Sequence, residues 1–83
     1  MIRKKNVARN LSDKNDLQER FGQIVRNRRL ELELTQEMLA ERTGLHFTYI
    51  SSLERGERNV SLANIAKLAE GLECSMAELV PNE

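Results

Sequence analysis

Tryptophan is missing from this chain, and proline, tyrosine and cysteine occur once each among its 83 residues. A lone cysteine, Cys74, excludes an internal disulfide, and among small neighbours it reads as a buried spacer rather than a redox thiol. No apolar run is long enough to span a bilayer, and the basic start Arg3-Lys4-Lys5 is not followed by the apolar stretch that a secretory signal needs, so a cytoplasmic location is expected. The chain is also too short to enclose a roomy active-site cavity. It shows no nucleophile–base pair, no metal-ligand cluster and no phosphate-cradling loop, so enzymatic activity, a metal, a cofactor and a small-molecule ligand are not expected. Positive and negative residues balance at thirteen each, which removes bulk electrostatic attraction as a basis for function.

What the chain does have suits a helical bundle: 40% apolar residues, 31% charged residues and almost nothing that breaks helices. Its charge is unevenly placed. Residues 1–16 carry Arg3, Lys4, Lys5, Arg9 and Lys14 against Asp13 and Asp16, a net of +3, which leaves −3 for the remainder. Without sustained apolar periodicity, residues 1–15 read as a basic arm, and residues 16–83 as the folded domain.

Helical spacing of Leu17, Phe21, Ile24, Arg28 and Leu32 predicts a first helix, opened at Asp16 by a capping box with Glu19. Thr35 caps a second helix, with Glu37 in its positively polarised first turn. A third runs from Phe47 to Arg55 and is stopped by Gly56. Ser61 caps a fourth, expected to turn Leu62, Ile65, Leu68, Ala69 and Leu72 inward and to end near Gly71. Ser75 and Glu78 form a second capping box, opening a short fifth helix that Pro81 closes.

The second and third helices have a distinctive spacing. With Gln36 as the first position, Ala40 falls at the fifth and Gly44 at the ninth, and apolar Leu39, Leu45, Ile50 and Leu53 fall at the fourth, tenth, fifteenth and eighteenth. A small residue at the crossing lets two helix axes approach. Glycine suits the left-handed turn between them. The four apolar residues place both helices on a common core.

This pattern, with Arg29, Thr35-Gln36, Leu39-Ala40-Glu41, Glu54-Arg55-Gly56 and Leu68-Ala69 in order, resembles the phage-repressor and Cro-like (XRE-type) helix-turn-helix family over residues 17–80. The runs Thr48-Tyr49-Ile50-Ser51 and Glu54-Arg55-Gly56-Glu57-Arg58-Asn59-Val60-Ser61 look most like the controller proteins of restriction-modification systems. The resemblance implies an all-α, five-helix, lambda-repressor-like domain that reads operator DNA in the major groove. Residues at the start of the recognition helix, His46, Phe47 and Thr48, together with Ser52, are then the candidate base readers. Thr48 can hydrogen-bond a base and touch a thymine methyl. Phe47 offers apolar contact only, or else folds back over the turn; family members often carry Arg or Gln there. His46, without Cys or His partners, suits a helix-start or phosphate role. Gln36, at the start of the second helix, can hold a phosphate with its amide and the nearby unpaired N–H groups. Tyr49, Ser51 and Asn59 resemble family positions that contact the DNA backbone or a neighbouring base, and Arg58 could reach a narrowed minor groove.

The resemblance also implies that Arg29 pairs with Glu54 to orient one helix on another. Many relatives have glycine where this chain has Glu33, so the first turn must be built at some cost. Because one recognition helix reads few base pairs, a homodimer on a palindromic operator is expected, joined through Met76, Leu79, Val80 and parts of the fourth helix. The alternative is an antitoxin-like or sequestered regulator whose main partner is another protein.

Overall fold

The computed structural model describes residues 14–82. Five helices follow in order: α1 (Lys14–Glu31), α2 (Gln36–Thr43), α3 (Phe47–Glu54), α4 (Leu62–Gly71) and α5 (Met76–Leu79). The expected basic arm lies outside the described residues except for Lys14 and Asn15, which already belong to α1. Asp16 is therefore not a cap. It sits inside the first turn, where it accepts a hydrogen bond from Arg20 Nε at 3.1 Å one turn later.

Phe21 and Val25 of α1, Leu39 of α2, Ile50 and Leu53 of α3, Leu68 and Ala69 of α4, Leu72 just after it and Leu79 of α5 make one buried core. Helix α3 packs against α1 and α2, α4 against α2 and α5, and α5 returns to α1. Ala40 and Leu45 pack on the edge of this core, as the spacing of the helix pair requires. Two residues expected inside are not. Leu62 is 75% exposed and Leu17 is 42% exposed, because each stands at the first turn of its helix, beyond the reach of the opposing layer. Val25, fully buried one turn beyond Phe21, takes the central place on α1. Cys74 packs against the core edge as a spacer, and burial, followed by the nearby Glu78 carboxylate, pushes its thiol up from the usual range.

Side chains satisfy the helix starts. Thr35 accepts from the Met38 N–H, Ser61 from the Asn64 N–H, and Ser75 from the Glu78 N–H while the Glu78 carboxylate accepts from the Ser75 N–H and hydroxyl. The helix ends share a different device. At Glu33, Gly56 and Glu73 the backbone turns left-handed, with φ of 59°, 80° and 59°. Each time the next N–H reaches back five residues: Leu34 to Arg29, Glu57 to Ser52 and Cys74 to Ala69, all at 3.0 Å. These are Schellman ends, and two of the three are built on glutamate. At Gly44 the left-handed φ of 76° falls on glycine, as the spacing predicts.

Glycine has a separate use at Gly22. A Cβ there would run into the Leu53 carbonyl oxygen and lie 2.8 Å from that of Glu54, so α1 crosses the end of α3 in backbone contact. Beside this crossing lies the main polar contact of the interior. Arg29 Nε and Nη2 donate to the two oxygens of Glu54 at 2.7 and 2.9 Å, with the side chains only 7% and 3% exposed. The remaining terminal nitrogen, Arg29 Nη1, donates to the Leu34 carbonyl at 2.8 Å, which ties the α1–α2 turn to the same group. Gln36 Nε2 adds a third donor to Glu54 at 2.9 Å. Among the described residues no buried side-chain polar atom is left unsatisfied.

Two predictions follow from these contacts. R29A should cost about 3–5 kcal/mol of stability, since it strands the buried Glu54 carboxylate, and should lower the melting temperature by more than about 10 °C. A melt like that of the unaltered protein would show that the pair is dispensable to the fold. Hydrogen bonds from the Ser75 backbone and hydroxyl hold the Glu78 carboxyl below its usual range. A depressed folded value means that this stabilisation is full at neutral pH and is lost as pH falls through that value. E78A should therefore melt lower than the unaltered protein at neutral pH, and the two should converge in acid. A gap that persists in strong acid would assign the effect to something other than the carboxylate.

Candidate nucleic-acid interface

Helix α3 turns its sides to different work. Ile50, Ser52, Leu53 and Glu54 are buried, whereas Phe47, Thr48 and Arg55 are exposed and Ser51 and Tyr49 are half-buried. The outward strip therefore runs 47, 48, 51, 55, the period of one helix face. Phe47 is 39% exposed and stands outside the core cluster.

His46 is the N-cap of α3. Its Nδ1 accepts from the Thr48 N–H at 3.2 Å and lies 2.9 Å from Thr48 Oγ1. Thr48 is exposed, so its hydroxyl and methyl group stand on the outward strip.

Ser52 does not belong to this face. It is 7% exposed, donates to the Tyr49 carbonyl at 2.9 Å and accepts from Arg58 Nε at 2.8 Å, so it is an internal fastening rather than a base reader. Its position one turn after Thr48 suggested the outward face, but 100° per residue over four residues carries it past the edge and toward the core. Arg58 lies over the Tyr49 ring, 5.4 Å from its centre, and the Tyr49 hydroxyl accepts from Asn64 Nδ2 at 3.1 Å. The loop after α3 is thus fastened to α3, which Tyr49 ties in turn to α4, with Asn59 exposed beside it.

Gln36 opens α2 with one amide hydrogen committed to Glu54. A second amide hydrogen remains, and the first N–H groups of α2 point the same way as the positive end of its dipole. Sequence reasoning missed Arg55. It donates to Ser51 Oγ at 2.7 Å and to both Glu57 oxygens at 3.1 and 3.0 Å. The hydrogen-bonded pair with Glu57 raises the Arg55 guanidinium above its usual range and holds the Glu57 carboxyl below its own. The signal was present, since Arg55 lies four residues beyond Ser51 and eight beyond Phe47.

The residues expected to join two protomers divide. Leu79 is 1% exposed and belongs to the core, because the single turn of α5 must bury its one inward side chain to stay docked. Met76 and Val80 remain exposed, at 37% and 48%. Between the start of α1 and the C-terminal turn runs an apolar groove of about 150 Å³ lined by Leu17, Phe21, Val60, Ile65, Val80 and Pro81. Exposed Leu62 stands beside it in sequence, between Val60 and Ile65. No helix among the described residues is long and apolar enough to cross a membrane.

Residues 25–79 match the helix-turn-helix family. The chain is 44% identical over 68 residues to control protein C.SmaI of Serratia marcescens, covering 82% of this chain and 81% of that protein. It is 46% identical over 67 residues to control protein C.BamHI of Bacillus amyloliquefaciens, covering 80% and 83%. Its fold matches the crystal structure of the restriction-modification controller protein C.AhdI from Aeromonas hydrophila with a TM-score of 0.74 and 47% identity, over 75% of this chain and 94% of that one. Similarity to those proteins runs through the helix pair whose outward strip and internal fastenings have just been described. The chain belongs to the helix-turn-helix family of DNA-binding transcriptional regulators, among relatives that include restriction-modification controller proteins.

Proposed function

We propose that this regulator serves a restriction-modification system and binds a two-fold symmetric operator as a homodimer. The observation that carries the reading is the outward strip of α3: it is held rigidly by the contacts of Arg29, Glu54 and Gln36, in a chain 44–47% identical to control proteins. In the major groove, Thr48 hydrogen-bonds a base edge and sets its methyl against thymine, while Phe47 adds apolar contact. His46 holds Thr48 in that pose. Ser51 and Arg55 continue the strip toward the DNA backbone. Gln36 uses its second amide hydrogen on a phosphate, and Tyr49, Asn59 and Arg58 border the strip from the following loop.

The dimer seam in this reading is the apolar groove with Leu62, Met76 and Val80; Leu79 is excluded. A two-fold axis makes the contact reciprocal, so Leu62 of each copy enters the groove of the other. The groove is bordered by Arg58 and Asn59, which places the seam next to the loop that follows the recognition helix.

Selection of bound sequences from random duplex DNA should return a palindromic consensus with half-sites about 34 Å apart, one turn of DNA. T48A should relax preference at particular positions of that consensus, at about 1–3 kcal/mol, whereas Q36A should weaken all sequences alike. Equal losses on matched and mismatched duplexes for both variants would reject this division of roles. Sedimentation at tens of micromolar should show a dimer, and L62E should show a folded monomer. A monomeric unaltered protein, with and without DNA, would reject the dimer. A dimeric L62E would move the seam elsewhere.

A further inference from the structure

Most of the cations whose side chains are described are already occupied by the protein itself. Among the residues whose side chains are described, Arg20, Arg28, Arg29, Arg42, Arg55 and Arg58 each donate a hydrogen bond of 3.1 Å or shorter to another part of the chain. Arg26 and Lys67 do not. Lys67 projects from α4, which does not contribute to the arrangement around Glu54. Arg26 projects from α1 with its side chain 49% exposed, and its nearest carboxylate oxygen is Glu54 Oε1 at 4.0 Å, beyond hydrogen-bond length.

That oxygen is already satisfied. Oε1 accepts from Arg29 Nη2 and Gln36 Nε2, both at 2.9 Å, and Oε2 accepts from Arg29 Nε at 2.7 Å. The negative charge of Glu54 is thus matched by Arg29 in a bidentate pair, and Arg26 is a second positive charge beside a carboxylate that has only one negative charge to offer. The cluster carries a net +1. It lies at the start of α2, since Arg26 and Gln36 approach the same oxygen atom, and there the unpaired N–H groups of the helix add positive potential.

We infer that Arg26 is a DNA-backbone contact: it grips a phosphate beside the N-terminus of α2 and sets the angle at which α3 enters the groove. The assignment rests on the DNA-binding reading and adds to it a residue from α1. Glu54 keeps the guanidinium from swinging away without holding it closely, which leaves its donors available to a phosphate. A phosphate contact carries no sequence information, so its loss is felt equally on every duplex.

The test is fluorescence anisotropy on a labelled duplex of arbitrary sequence, about three helical turns long, across a series of potassium chloride concentrations. R26Q is expected to flatten the slope of log affinity against log salt by about 0.9 per protomer bound, to weaken every duplex by a similar factor and to melt like the unaltered protein. R26K is expected to restore the slope. An unaltered protein with salt-dependent binding and an R26Q variant of equal slope would overturn the assignment alone. A melting temperature lowered as in R29A would also overturn it, making Arg26 a structural partner of Glu54. Absence of salt-dependent binding by the unaltered protein would instead overturn the DNA-binding reading and this assignment with it.

Discussion

The geometry of the interface depends on one buried ion pair. Arg29 and Glu54 are almost inaccessible to water, and taking two charges out of solvent costs several kcal/mol per ion before their attraction is counted. An apolar pair of the same volume could fill the space at less cost. What it could not do is fix directions. The planar guanidinium meets the carboxylate in two parallel hydrogen bonds and sends another to the Leu34 carbonyl, while Gln36 reaches the carboxylate from α2. Three helices and the turn between two of them are oriented through the atoms of three side chains. Gly22 allows this by letting the α1 backbone come against the last carbonyls of α3.

The same economy explains how a chain of zero net charge serves as a DNA-binding protein. Arginine here is mainly a strut. Arg28 donates to the Leu72 and Glu73 carbonyls and Arg42 to that of Gly71, so the end of α4 is capped from α1 and α2 at once. Arg58 fastens the loop after α3, and Arg55 braces Ser51. With thirteen acidic residues against thirteen basic ones, long-range attraction is weak, and affinity must come from fitted contacts at short range.

Much of this was legible in the sequence where the demand is local. Thr35, Ser61 and Ser75 cap helices because the side chain alone satisfies an adjacent N–H, and Gly44 turns left-handed because few other residues do so cheaply. The Arg29–Glu54 pair was legible only through family resemblance, since nothing at a separation of twenty-five residues marks two charges as partners. Helical spacing says which residues share a face but not whether another layer covers it. Leu62 and Leu79 are the two sides of that limit: each was placed on an apolar stripe, yet one stands in solvent and the other is sealed inside. Ser52 shows the complementary problem at the interface, where a polar residue near the groove is turned inward by the buried partners it finds.

The left-handed glutamates at Glu33 and Glu73 bear on how this protein can change. A side chain in that conformation costs about 1–2 kcal/mol relative to a relaxed backbone, a large share for a domain of this size. Neither residue lies on the outward strip of α3 or lines the apolar groove. Glycine or asparagine at either position relieves the turn without altering a side chain of that strip, although at Glu73 it gives up the exposed contact with Arg42. The persistence of the folded chain, and hence the amount of regulator that a given rate of synthesis maintains, is therefore adjustable at two sites independent of what the regulator reads.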